Sequence, residues 1–396
     1  MFNKKSQSAM EYLMTYGWAI LIILIAIGAL FYLGVFSPST PSVCQVQAPF
    51  VCSDFIVGSN ALLYDLGFNE VSSAEVTGVV INGGDCDNYP EAYYYNPDIS
   101  SGGNKKMVGC VGDLSKGDYG ISEGDKISSS FGVSYSSTFG LDHNIDGQGS
   151  GTVEAGEVEI PGLVAYYPFS EGEGLTTVDF SGNGYDGQIT DVGASSIWGV
   201  GSVKPDSNYL NFVEDGDYVV VDAAGKDKLN NLADNGFTVT VWVNKNGGND
   251  GYEMFVVKTN GAVGVSTFLL RQGTPANNYP EFVVSDGTIF KTVILPDLVM
   301  STGNWYFIAG VFEGDKITIY GNLKGQGTLI TALLSLTGTG FTTLNENSEI
   351  DLWFGDRVGA PLSQHLDGKL DDVAIYDHAL TGEELLAIFQ SYSPSG

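Results

Sequence analysis

Four groups of residues in this chain could do chemistry. The first is Asp179-x-Ser181-Gly182-Asn183, with a second carboxylate pair, Asp371-Asp372, much later in the chain. Carboxylates, an Asn carbonyl and the carbonyls of a Gly turn are hard oxygen donors, of which calcium takes about six to eight. The same residues can equally close a turn through Asx hydrogen bonds. The second group is Glu349-x-Asp351. Retaining hydrolysis of a glycosidic bond needs two carboxyl groups about 5–5.5 Å apart. Trp353 and Phe354 stand where a second Glu would act as acid/base, and Asp351 beside Glu349 on one strand face has the wrong spacing to replace it. The third group is the three histidines, His143, His365 and His378, none in a nucleophile elbow or with metal-ligand spacing. The fourth is Cys44, Cys52, Cys86 and Cys110. With no C-x-x-C pair, two disulfides are expected rather than zinc; three connectivities are open, and spacing favours Cys44–Cys52 with Cys86–Cys110. No catalytic set emerges, and the chain is expected not to be an enzyme.

The elements that must position these groups are mostly strands. Glycine is abundant, at 53 of 396 residues, and aromatics reach 12%. With Thr/Val-rich alternation this points to β-structure with many tight turns. The net charge is −30, and the only arginines are Arg271 and Arg357. Such a surface repels nucleic acid, which is excluded as a partner. Strands are expected at Ala61–Tyr64, Glu75–Ile81, Lys126–Tyr135 and Gly151–Ile160, then at Phe237–Val243, Asn304–Phe312 and Lys316–Tyr320. Thr381 and Glu384 have capping-box spacing at the head of a closing helix, Glu383–Gln390. Trp198, Tyr252, Tyr279, Trp305 and Trp353 could stack on sugar rings. Trp242 and Trp305 lie mid-strand in apolar alternation and are expected inside. The polar loops Lys245–Gly251 and Gln272–Tyr279 are the better contact points. Tyr93-Tyr94-Tyr95 could also meet sugar, or be ordinary strand residues.

At the N-terminus, Lys4-Lys5 leads into an apolar stretch. Its uncharged part, Gly17 to Phe36, has the roughly twenty residues that a helix needs to span a bilayer core. The lysines favour a cytoplasmic leader. The good cleavage position lies before the apolar stretch, at Ser6-Gln7, so the helix would stay on the mature chain. Glu11 sits at the lip of the stretch. These residues resemble the class III signal peptide of archaeal type IV pilin-like proteins; an ordinary anchor helix is the simpler alternative. The resemblance implies a prepilin peptidase cutting before Gln7, Glu11 as fifth residue of the mature chain, and helices packed with other pilin subunits in a filament core. A carboxylate in hydrocarbon needs a partner, and the new α-amino group of Gln7 is one.

The last segment carries a second resemblance. Asp179-x-Ser181-Gly182-Asn183-x-x-x-Gly187 is followed late by Asp367-Gly368-Lys369-x-Asp371-Asp372-x-x-Ile375-Tyr376-x-x-Ala379-Leu380. This order is similar to laminin G-like, concanavalin A-like jelly-roll domains. It implies two antiparallel sheets of six or seven strands face to face. In that family the corner between the motifs often holds a structural calcium, which implies Asp179, Asn183 and Asp372 as ligands, with Asp371 as a fourth. Glu349-x-Asp351 likewise resembles the E-x-D-x-E strand of family 16 glycoside hydrolases on this fold, without its second Glu.

The reading is a mainly β protein with five parts: a leader (1–6), a pilin-type transmembrane or filament-core helix (7–36), a linker (37–42), a small disulfide-bonded β-sandwich head (43–160), and a laminin G-like jelly roll with a short closing helix (161–396). The head layout also resembles those that follow this signal in archaeal pilins. The function expected is a cell-surface, pilin-like adhesion subunit, single-pass or in an extracellular pilus, binding an extracellular glycan or protein. The alternative is a surface-anchored binding protein, or a minor pseudopilin that forms no filament; a tethered glycan hydrolase is a third.

Overall fold

The computed structural model describes residues 16–27, 42–68, 71–81, 84–85, 91–95, 105–111, 114, 119–137, 141–193, 197–201, 203, 208–233, 236–247, 251–260, 266–273, 278–346, 350–357 and 364–392. The chain divides into two units, Met1–Pro41 and Ser42–Gly396. In the first, residues 16–27 are helical (α1), with Trp18, Ile22 and Ile25 exposed. Among the described residues no helix is long and apolar enough to cross a membrane. Ser6, Gln7, Glu11 and the rest of the expected span lie outside the described residues.

The second unit begins with β1 (Val43–Val46), β2 (Phe50–Val57), β3 (Ala61–Phe68), β4 (Val71–Ile81), β5 (Gly84–Asp85), β6 (Glu91–Tyr95), β7 (Lys105–Val111), β8 (Lys126–Ser137) and β9 (Asp142–Thr152). They form a five-stranded sheet, β1-β9-β8-β4-β5, and a four-stranded sheet, β2-β3-β7-β6. Between the sheets lie Phe55, Tyr64, Leu66, Phe131 and Val133. The glycines of β9 have a packing reason: a Cβ on Gly147 would sit 2.2 Å from the Phe131 ring and one on Gly149 2.6 Å from Tyr64. Cys44–Cys52 is a disulfide joining β1 to β2, as its spacing suggested. Cys110 is also disulfide-bonded, and Cys86 lies outside the described residues. The strand expected over Gly151–Ile160 ends instead at Thr152, and the chain then turns toward the next sandwich.

That sandwich contains β10 (Leu163–Tyr167), β11 (Thr176–Thr177), β12 (Gly187–Thr190), β13 (Trp198–Val200), β14 (Asn208–Phe212) and β15 (Tyr218–Val221). A short helix α2 (Asp227–Asn230) follows. Next come β16 (Phe237–Lys245), β17 (Glu253–Thr259), β18 (Ser266–Gln272), β19 (Pro280–Ser285), β20 (Phe290–Ile294), β21 (Trp305–Phe312), β22 (Lys316–Leu323), β23 (Ile330–Ser335), β24 (Leu352–Phe354) and β25 (Gly368–Tyr376). The closing helix is α3 (Gly382–Ser391), started by the expected capping box between Thr381 and Glu384. One sheet, the proximal sheet, runs β13-β14-β25-β16-β21-β22-β23, with β10 also on β25; the distal sheet runs β11-β12-β15-β24-β17-β18-β19-β20. Each has eight strands, more than the six or seven expected, because short edge strands extend both.

Strand alternation decides what each sheet buries. On β16, Phe237, Val239, Val241 and Val243 point between the sheets and meet Phe268, Phe282 and Ile308. Trp242 points the other way, so it is buried as expected but not in the sandwich interior. Its ring lies 5.7 Å from Phe389 and 4.9 Å from Tyr392, flattened against the end of α3. Ala61 and Leu63 of β3 and Val111 of β7 join the same cluster. The Ala61-Leu62-Leu63-Tyr64 run is therefore apolar on both faces, one for the head core and one for the jelly roll. Head and jelly roll keep separate sheets and share this third core.

Candidate functional site

Asp179 sits at the start of the tight turn that precedes β12 and is fully buried. Its Oδ1 accepts from the backbone N–H of Tyr166 (2.9 Å) and Ser181 (2.9 Å). Its Oδ2 accepts from Ser181 Oγ (2.8 Å) and the Tyr185 N–H (3.0 Å). Four donors occupy the roughly four acceptor positions of a carboxylate. Burial raises the Asp179 pKa, and these hydrogen bonds oppose the rise. Asn183 donates its Nδ2 to the carbonyls of Leu163 and Val164, both at 3.0 Å. Gly182 has φ +83°, and a Cβ there would stand 2.3 Å from the Val158 carbonyl. Asn60 of the head donates to the Val158 and Phe180 carbonyls beside it. The motif is thus a hydrogen-bonded turn that seats the head on the jelly roll.

Asp372 and Val373 form a bulge in β25, next to Asp371, where the register with β16 shifts between Thr240 and Trp242. Asp372 takes φ +46°, a region where Asp is better tolerated than most residues. Asp371 accepts from the N–H groups of Asp372 (3.0 Å) and Val203 (3.2 Å). Asp372 accepts from the Tyr166 hydroxyl at 2.7 Å. Tyr166 therefore ties the two motifs together, by donating its N–H to one and its hydroxyl to the other. Asp179, with its acceptor positions filled, does not fit as a calcium ligand, and Asn183 turns its amide N–H to the Leu163 and Val164 carbonyls. Among the described residues no group of three His, Cys, Asp or Glu could hold a metal.

The carboxylates and histidines considered for catalysis are also engaged. Asp351 accepts from the Ala223 N–H at 3.0 Å; Glu349 lies outside the described residues. His365 pairs with Asp215 at 2.7 Å and His378 with Asp377 at 3.0 Å. His143 stacks on Tyr135, ring centroids 5.1 Å apart.

A different arrangement occupies the outward face of the distal sheet. One row of cross-strand partners runs Val220, Trp353, Val257, Leu269, Val283. Met254 joins this cluster, and Tyr218, Tyr252 and Phe290 border it half-buried. Tyr218 lies 5.1 Å from Trp353. The Trp353 indole N–H is buried and finds no hydrogen-bond acceptor among the described residues. Beside the apolar row, Met254 pairs with Arg271 and Arg271 with Glu281. The Arg271 guanidinium stacks 3.9 Å above Tyr252 and meets Glu281 Oε2 at 3.2 Å. Arg357 follows β24; its Nε donates to Gln364 Oε1 at 2.9 Å. Burial, and then the like charge of Arg271, lower its pKa. Of the other candidate aromatics, Trp198 donates to the Gly174 carbonyl at 2.8 Å. Trp305, expected inside, is half-buried at the start of β21, edge-on to Tyr209. Tyr279 is half-buried before β19. The side chains of Tyr93, Tyr94 and Tyr95 lie outside the described residues.

Residues 214–386 match the family model of the concanavalin A-like lectin/glucanases superfamily. The match takes in the distal-sheet row and the late motif, and stops short of the early one. No curated protein matches the sequence. Among solved structures, a heptameric SAP-like pentraxin from Limulus polyphemus is 16% identical with TM-score 0.30, over 38% of this chain and 68% of that one. A Trypanosoma rangeli sialidase in complex with sialic acid is 10% identical with TM-score 0.41, over 87% and 63%. The Ruminococcus gnavus IT-sialidase CBM40 bound to α2,3-sialyllactose is 16% identical with TM-score 0.36, over 46% and 95%. These similarities are distant, so the concanavalin A-like segment is read from its own residues. What sequence reasoning missed is the stacking of Arg271 on Tyr252 beside this cluster and its pairing with Glu281.

Proposed function

We propose that the chain is a surface-displayed glycan-binding protein whose contact face is the outward side of the distal sheet. One observation carries the reading: Tyr218 and Tyr252 stand half-buried at the border of an aromatic and aliphatic cluster on that side, with Tyr218 against Trp353. Sugar rings offer C–H faces to such half-buried aromatic rings. The lectin/glucanase family match over the same residues supports it. The reading is of a binder rather than an enzyme, because the E-x-D strand ends in Trp353 and Phe354 and supplies no second Glu.

Display would come from the N-terminal segment. The Lys4-Lys5, Gln7 and Glu11 pattern supports processing by a prepilin peptidase and association with other pilin subunits at the cell surface. Anchoring without a filament is the second reading, favoured by the bulk of the unit behind the helix, which would hinder close helix packing. A glycan array on the full chain in detergent tests binding, and uniform absence of signal would overturn it. N-terminal sequencing of the mature protein tests display: a start at Gln7 is expected, and a start at Met1 would refute it. Loss of filaments but not export on Glu11→Leu would separate assembly from anchoring.

A further inference from the structure

On the outer face of the proximal sheet, one step along β16 from Trp242, the side chains change from apolar to polar. Asn211, Lys369, Asn244 and Trp305 are successive cross-strand partners on β14, β25, β16 and β21. Their neighbours Leu210, Leu370, Val243 and Tyr306 belong to the core between the sheets, so alternation turns all four outward. Tyr209, two residues before Asn211, shares that face.

The two aromatics stand on β14 and β21, with β25 and β16 between them. Three strand spacings separate those backbones, about 14 Å. The Tyr209 and Trp305 rings nevertheless lie 6.0 Å apart, edge to face, so both lean inward over the intervening strands. Beneath them, Lys369 Nζ lies 4.9 Å from the centre of the Tyr209 ring. Asn244, although on the outer face, is only 5% exposed, and its Oδ1 meets no hydrogen-bond donor among the described residues. Closing off an acceptor without a donor is destabilising, and a lid that served only packing would have an apolar residue beneath it. Tyr209, Trp305 and Lys369 are half-buried, and exposed Asn246 borders the row, donating to Asn211 Oδ1 at 2.9 Å. The arrangement is a trough with two aromatic walls and a floor of one ammonium donor and one amide acceptor, shut by contact between the walls.

We propose that this trough is a second glycan site, which takes a neutral pyranose ring between Tyr209 and Trp305. The sugar's C–H faces meet the two rings. One hydroxyl donates to Asn244 Oδ1 and its neighbour accepts from Lys369 Nζ. The ligand class is the one read for the distal face, but the residues are different and lie on the other sheet, so one jelly roll would hold two glycan chains on opposite sides. The walls must part and Lys369 must leave the Tyr209 ring, so this site is expected to be the weaker of the two.

The test uses the full chain in detergent, titrated calorimetrically with cellotetraose, mannotetraose and galactotetraose. At least one is expected to show two binding events per chain. Asn244→Leu should weaken the weaker event by at least about tenfold, leave the other unchanged, and keep or raise the melting temperature, because it removes an unmet acceptor. Trp305→Ala should weaken the same event, and carries the test should Asn244→Leu not fold; Tyr252→Ala should weaken only the other. A single event that Tyr252→Ala weakens and folded Trp305→Ala leaves intact overturns the second site and leaves the distal reading standing. A single event that Trp305→Ala weakens and Tyr252→Ala leaves intact supports the trough and removes the distal face. A lower melting temperature in Asn244→Leu with both events intact makes Asn244 a structural residue and overturns the proposal. Absence of binding by all three sugars in the wild type overturns it too, while the wider array decides the glycan reading separately.

Discussion

The two jelly-roll sheets both turn an apolar face outward, and the molecule uses the two faces differently. The proximal face, with Trp242, Phe307 and Ala374, is closed by α3 and by the underside of the head, from which Ala61, Leu63 and Val111 enter. The distal face forms its cluster from its own strands and their flanks, with aromatic residues half-buried at the border. The first is a seam between head and jelly roll, and the second a buried cluster with half-buried aromatic residues and a polar rim. Similar strand alternation produces both, and both clusters are buried at their centres; what differs is that the distal one is bordered by the half-buried aromatics Tyr218, Tyr252 and Phe290.

The sharpest way to break this contrast is to cut into the seam. Trp242→Ala removes a ring that touches Phe307, Phe389 and Tyr392. Truncations of this size cost about 3–5 kcal/mol in buried sites. Denaturant unfolding should show that loss in a single transition for head and jelly roll, because they share the core; two separated transitions would show that the seam does not couple them. For the same reason a fragment beginning at residue 161 would expose Phe180 and Trp242, and is a poor vehicle for binding work.

Next in size is the turn that seats the head. Asp179→Ala leaves the N–H groups of Tyr166, Ser181 and Tyr185 and the Ser181 hydroxyl without their acceptor. The expected loss is about 2–4 kcal/mol, given the cost of buried unmet donors. Chelator should leave the wild-type melting temperature unchanged. A chelator-induced drop would show that a cation holds this corner after all.

This corner also marks the limit of what the sequence carried. The residue types of Asp179, Asn183, Asp371 and Asp372 suit calcium and an Asx-bonded turn equally well. Only the arrangement in space shows four donors already on Asp179. The capping box at Thr381 and the hairpin of β21 and β22 are local, so spacing alone located them. The double-faced burial of β3 was signalled by the unbroken Ala61–Tyr64 run, but not what lay against its second face. Trp353, Val257, Leu269 and Val283 come together through the pairing of four strands, which no local pattern encodes.

The distal sheet also buries a charge on its inner side, and this gives a pH test. Lys258 Nζ donates to Asn230 Oδ1 at 3.0 Å and to the Ile350 carbonyl, and burial lowers its pKa from 10.5 to about 8. Below pH 8 the lysine is charged folded and unfolded, and the folded state bears the full cost of burying it. Between about 8 and 10.5 the unfolded chain binds more protons than the folded one, so stability rises with pH. Relative to Lys258→Met, the wild type should therefore gain roughly 2–3 kcal/mol across that window, at about 1.4 kcal/mol per pKa unit. Parallel stability curves for the two proteins would show that Lys258 is not desolvated as its surroundings imply.

The smallest effect bears most directly on the distal face. Tyr252→Ala removes a half-buried ring and the support for Arg271. A partly buried cation–π pair is worth about 0.5–2 kcal/mol, so the melting temperature should fall less than on Trp242→Ala. Binding of any glycan found on the array should weaken by about tenfold, the equivalent of 1.4 kcal/mol. The contrast between the faces rests on that dissociation: Trp242 should govern folding, and Tyr252 should govern affinity. If Tyr252→Ala instead lowers stability as far as Trp242→Ala and leaves glycan affinity intact, the distal face is a second seam awaiting a covering partner, and the contact surface must be sought elsewhere.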